Sequence, residues 1–241
     1  MAPTPRYLEP HFRPNSRLTI VLIHPFWGQA SVYLPLLNTL DYDFDALLIH
    51  DPFFGTSESL STIRQYAQFY LHDAEKQIPL GREIAFGGFS FGGLVAFEMA
   101  SLWSSRHGKE PASLILLDAG TFDAPTNFTC DKENEITYAL QLFGKGQEKL
   151  IRSHFEKLSP ILRNPVESNK YNGTCLYLST KESAVAGASD WWTRQCPKLH
   201  THQFDCAHYA LLDDFMVSSV GSVVNQHCRW VTECLDLPAN K

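Results

Sequence analysis

The 241 residues are 44% hydrophobic and 19% charged, an ordinary globular composition, with 20 Lys and Arg against 26 Asp and Glu. That acidic balance excludes a general nucleic-acid binder, and no apolar run approaches the ~20 residues of a membrane span. The N-terminal MAPTPRYLEPHFRP has no apolar signal core, and the six cysteines are scattered without a C-x-x-C, so a cytoplasmic protein with free thiols and unused sequons at Asn127 and Asn172 is expected.

Along the chain, short apolar runs alternate with longer amphipathic ones. Tyr7–Arg13 reads as an edge strand, and Leu18–Pro25, Asp45–Asp51, Glu83–Ser90, Ser113–Gly120, Thr174–Thr180 and Lys198–Asp205 as the main strands. Most are near-continuous apolar runs, the pattern of strands covered on both faces. Ser61–Ile78 is a helix with Ile63, Tyr66, Ala67, Tyr70, Leu71 and Ala74 on one face. Phe91–His107 is a second, ending at Gly108, and Val217–Leu237 a third that closes the chain. The alternation implies an α/β architecture with a mostly parallel, doubly wound sheet, whose ligands bind at the carboxyl ends of the strands. Residues 1–241 read as one domain. Between Gly120 and Gly173 only two helical patterns occur, Glu135–Phe143 and Gln147–Leu162, so a helical lid inserted over that edge is expected at about residues 122–172.

The strongest motif is Gly87-Gly88-Phe89-Ser90-Phe91-Gly92-Gly93, a G-x-S-x-G between a strand and a helix. That setting is a nucleophile elbow, in which small residues let a strained turn present the serine. A serine hydroxyl needs a general base, and the base an orienting acid. His208, after the last strand, is the candidate base; Asp118, at the end of LILLDAG, and Asp190 compete for the acid. The chain order Ser, Asp, His is that of the α/β-hydrolases. Oxyanion donors are expected at the backbone N–H of Phe91 and at the N–H of Phe26, with Trp27 the neighbouring candidate. His24 reads as a histidine that positions this loop. Trp191 and Trp192 read as packing. Cys196, His200, His202, Cys206 and His208 lack usual metal-ligand spacing, so neither metal nor cofactor is expected.

Taken together, HPFWGQASVYLPL, GGFSFGGLVAFEMA, LILLDAG and HQFDCAHYALL resemble the thioesterases of polyketide and nonribosomal peptide synthases, including the stand-alone type II enzymes. The resemblance spans about Leu18 to Leu212. It implies an α/β-hydrolase fold with a mobile lid, an acid on the strand after the nucleophile helix, hence Asp118, and a catalytic set of Ser90, Asp118 and His208. The bulky His24-Pro25-Phe26-Trp27 departs from relatives that have small residues there. The implied activity is hydrolytic release of a polyketide or peptide chain from a phosphopantetheine thioester on an acyl carrier protein, through an acyl-serine. Release by cyclisation or transfer to another nucleophile, and an inactive binding module, are the alternatives. A monomer is expected, with the carrier supplied in trans. Lys145, Lys149, Arg152, Lys157, Arg163 and Lys170 outweigh Glu148, Glu156 and Glu167, so this stretch of the lid reads either as an ordinary solvated helix face or as a docking face for an acidic carrier.

Overall fold

The computed structural model of the protein describes residues 5–120, 132–163, 170–185 and 187–236. Its strands are β1 (Leu8–His11), β2 (Leu18–Ile23), β3 (Phe44–Ile49), β4 (Glu83–Phe89), β5 (Ser113–Leu117), β6 (Thr174–Thr180) and β7 (Lys198–Phe204). They form one seven-stranded sheet in the order β1-β3-β2-β4-β5-β6-β7. β1 pairs antiparallel with β3 and every other neighbour is parallel. The expected doubly wound sheet is therefore present, with β1 as its one reversed strand.

Every residue of β2, β3 and β5 is buried, as continuous apolar runs require. β7 differs: at the sheet edge, KLHTHQF leaves only Phe204 buried. Several strands stop one or two residues before the expected ends. β2 gives way to a tight turn after Ile23, closed by the Gly28 N–H donating to the Pro25 carbonyl at 2.9 Å.

The described helices are α1 (Leu34–Leu37), α2 (Ile63–Gln77), α3 (Phe91–His107), α4 (Lys132–Phe143), α5 (Glu148–Leu158), α6 (Lys181–Val185), α7 (Ala188–Gln195) and α8 (Val217–Asp236). α2 begins where Thr62 accepts a hydrogen bond from the Gln65 N–H, and its six predicted apolar residues are its buried face. α3 ends on Gly108, which takes the left-handed conformation (φ +65°) that glycine adopts without steric cost. α4 and α5 fall within the segment expected to be a lid. Residues 122–131 and 164–169 of that segment, and Leu237 of the last helix, lie outside the described residues.

β2 lies between β3 and β4, so the chain leaves β2 toward one side of the sheet and returns on the other. Crevices open at the carboxyl edge where the winding reverses in this way. The turn after β2 and the turn after β4 both face that point. One contiguous apolar core, built from the strands and from α2, α3, α5 and α8, holds this edge rigid.

Candidate active site

Ser90 sits between β4 and α3 with φ +53° and ψ −119°, a strained conformation for any residue but glycine. The flanking glycines explain how the turn closes. A Cβ on Gly92 would stand 2.2 Å from the Ile23 carbonyl oxygen, and one on Gly88 2.3 Å from the Gly92 carbonyl carbon. The start of α3 thus rests directly on the end of β2. Tyr33 pins the same point: its hydroxyl donates to the Ile23 carbonyl and accepts from the Phe89 N–H, both at 2.7 Å.

The His208 ring stacks on Phe89, the residue before Ser90, with centroids 4.4 Å apart. Its Nδ1 lies 2.6 Å from Oδ2 of Asp118. Asp118 also accepts from the Thr180 N–H at 2.8 Å, from the Thr180 hydroxyl at 2.9 Å, and from the Ser183 hydroxyl. Burial pushes the Asp118 carboxyl up, but the donors from His208, Ser183 and Thr180 outweigh it and hold the group below the usual carboxylate range. The carboxylate is therefore ionised beside the imidazole, which fixes the Nδ1–H tautomer. Glu182 Oε2 accepts from the His208 backbone N–H at 3.1 Å and anchors the loop itself.

Of the two acids considered from sequence, Asp118 contacts the imidazole, whereas Asp190 is exposed on α7. The other candidates separate as well. His24 is fully buried, with Nδ1 at the Pro25 carbonyl and Nε2 at the Tyr70 hydroxyl, each 2.7 Å away; it braces the turn. Trp192 packs in the core and donates its indole N–H to the Ala119 carbonyl, beside Asp118. Cys196 is buried at the C-terminal end of α7, His200 packs on Trp230 and His202 on Phe204. Among the described residues no group of His, Cys, Asp and Glu is arranged to hold a metal ion. Burial, with Asp118 and Glu182 adding to it, pushes the Cys206 thiol up, which disfavours the reactive thiolate.

Phe26 and Phe91, whose N–H groups are the oxyanion candidates, have rings in edge-on contact at 5.7 Å. Phe91 opens α3, where N–H groups lack intrahelical acceptors. α4 and α5 pack against the turn that carries Phe26. Phe155 of α5 packs edge-on against Phe26 at 4.6 Å, and Tyr138 of α4 lies between Trp27 and Tyr209 at 5.4 and 5.0 Å. Ser90 and His208 are each only 6% exposed. Thr180, Ser183, Glu182 and Tyr33 were not singled out from sequence. Their positions are ordinary strand-end and helix-start residues, and only the pairing of β5 with β6 brings Thr180 and Ser183 to Asp118.

A family model described as a thioesterase domain matches residues 18–226. The chain belongs to the thioesterase domain family. It is 36% identical over 227 residues to the nonribosomal peptide synthetase agiA of Aspergillus flavus, covering 93% of this chain. It spans about 3% of that curated relative's length. Among solved structures, the NocB thioesterase domain in covalent complex with a fluorophosphonate nocardicin G analog superposes with a TM-score of 0.77 at 25% identity, covering 92% of this chain and 99% of that one. The Vlm2 thioesterase domain shares the fold at a TM-score of 0.71 and 20% identity, covering 94% and 99%. This thioesterase domain has the α/β-hydrolase fold.

Proposed function

We propose that this thioesterase domain releases an acyl or peptidyl chain from a carrier-bound phosphopantetheine thioester by hydrolysis through an acyl-Ser90 intermediate. The observation that carries the reading is the buried Asp118–His208 pair at 2.6 Å, its imidazole stacked on the residue that precedes the strained Ser90. Membership of the thioesterase domain family and the likeness to a nonribosomal peptide synthetase support the substrate class.

In this reading His208 takes the Ser90 hydroxyl proton as Oγ attacks the thioester carbonyl. Asp118 stabilises the resulting imidazolium, and the N–H groups of Phe26 and Phe91 bind the oxyanion. The intermediate collapses, His208 returns the proton to the departing thiol, and the acyl chain stays on Ser90. A water deprotonated by His208 then attacks the acyl carbonyl, and as the ester bond breaks His208 returns that proton to Ser90 Oγ and the free acid leaves. α4 and α5 act as the lid, and their aromatic cover limits stray water. The described cysteines are free thiols, consistent with a reducing, cytoplasmic setting. No described helix is long and apolar enough to cross a membrane.

Incubation with an acyl thioester, followed by intact-mass measurement, should show the acyl group on wild-type protein and none on Ser90→Ala. Labelling of Ser90→Ala at the wild-type level would overturn the mechanism. Product mass then separates the outcomes: a free acid indicates hydrolysis, and a product lighter by one water indicates cyclisation.

A further inference from the structure

Tyr138 of α4 reaches across to the turn that presents His208, and the proposed chemistry gives it no part. That turn is a short 3-10 stretch, His208–Leu212, closed by Asp213. Tyr138 grips it at both ends. Its ring stacks on Tyr209, with centroids 5.0 Å apart and planes 29° from parallel. Its hydroxyl donates to Asp213 Oδ1 at 3.0 Å, a charge-assisted bond. Asp213 also ties the turn into the backbone. Its N–H donates to the Ala210 carbonyl at 3.2 Å, and its carbonyl accepts from the N–H groups of Met216 and Val217, both at 2.9 Å. Tyr209 in turn meets the His208 ring edge-on, at 5.1 Å and 75°.

These contacts close into a circuit of five rings. Tyr138 lies 5.4 Å from Trp27, Trp27 6.0 Å from Phe89, and Phe89 4.4 Å from His208, which returns through Tyr209 to Tyr138. The separations are those of packed aromatic pairs. Trp27 follows β2, Phe89 ends β4, and His208 and Tyr209 follow β7; Tyr138 is the member that comes from α4. Trp27 is wholly buried and its indole N–H has no hydrogen-bond partner, so its ring rather than its polar atom holds it in place. The circuit bears on the chemistry through His208. The Asp118 bond holds Nδ1, but a single hydrogen bond lets an imidazole swing about it, and Nε2 is the atom that must meet the Ser90 hydroxyl. Ring packing removes that freedom: Phe89 lies on one face, and Tyr209, braced by Tyr138, meets the edge.

We propose that Tyr138 is a positioning residue for the catalytic imidazole: its ring braces Tyr209 against His208, its hydroxyl anchors α4 to the same turn, and the base is aligned while α4 is seated. The inference rests on the reading of His208 as the general base. The test uses the full chain and measures the rate at which a small fluorophosphonate labels Ser90, together with kcat and KM for an acyl-N-acetylcysteamine thioester. A tyrosine that only covers the site would shield Ser90, and its loss would speed labelling. A positioning tyrosine has the opposite sign. Tyr138→Leu should label about tenfold more slowly and lose about tenfold in kcat, with KM within about twofold. Tyr138→Phe, which keeps the ring, should return to within about threefold of the wild-type rate. Labelling of Tyr138→Leu at or above the wild-type rate would overturn the role, as would a loss that Tyr138→Phe shares in full. Should Tyr138→Leu fail to fold, Tyr209→Leu carries the test: labelling slowed about tenfold supports the bracing, and unchanged or faster labelling overturns it. Wild-type labelling of His208→Ala would instead remove the general base itself, so the two failures are distinguishable.

Discussion

Ser90 and Asp118 both hold left-handed backbone angles, φ +53° and +47°, at adjacent strand ends. Such angles cost about 1–3 kcal/mol each for side chains other than glycine and persist where neighbours over-determine them. For Ser90 the neighbours are the glycines and Tyr33; for Asp118 they are Thr180, Ser183 and the Leu178 carbonyl, which accepts from the Asp118 N–H at 2.7 Å. The elbow was legible because its glycines sit beside the serine in sequence. The seat of Asp118 was not, because its donors come from more than sixty residues further along the chain. Asp118→Asn keeps the shape but removes the charge that orients and stabilises the imidazole, so kcat should fall by about 10⁴-fold. Asp190→Asn, on the exposed face of α7, should leave turnover unchanged. The reverse pattern in thioester turnover would reassign the acid.

At the scale of elements, part of the charge on α5 holds the helix to its own chain. Arg152 is paired with Glu133 of α4 at 2.8 Å and with Glu148 of α5 at 2.9 Å. Lys157 spends its ammonium on the carbonyls of Phe53, Thr56 and Glu58 at 2.8, 2.8 and 3.1 Å. Two of the six cations that point to carrier docking, Arg152 and Lys157, are thus engaged within the chain. Lys149 and Lys145 remain on the outer face for such a partner. Lys157 ties α5 to the loop after β3, and Lys157→Met should cost about 1 kcal/mol of local stability. Amide exchange across α5 should rise about fivefold, while β4 amides stay unchanged. Equal exchange in both proteins would show that the ammonium does not hold the helix down.

For the whole molecule, buried histidines make acid the weak side of the stability curve. Burial is the main cause that brings His154 down to about 3 and His227 to about 4. The unfolded chain takes up protons at these sites from about pH 6.5 downward, while the folded chain resists until much lower pH. Stability should therefore fall as pH drops from about 6.5 to 4, by about 1.4 kcal/mol per pH unit for each histidine. Urea unfolding across that range, repeated with His227→Leu, should show a shallower slope for the variant. Identical slopes would remove His227 from the account.

Local signals were enough for the strand order, the longer helices, the elbow, and the candidates for base and acid, since each depends on residues within one strand, turn or helix; the short α1 and α6 have too few turns to show a period. The sheet order placed β1 antiparallel at one edge and left β7 exposed at the other, which composition alone does not distinguish. The contact between Asp118 and His208, the Thr180–Ser183 seat, and the burial of His154 against Gly28 come from segments far apart in the chain. Hydrophobic periodicity reports which face of a segment is covered. It carries no information on what covers it, and the polar partners met there exist only once the sheet has paired and α5 has packed.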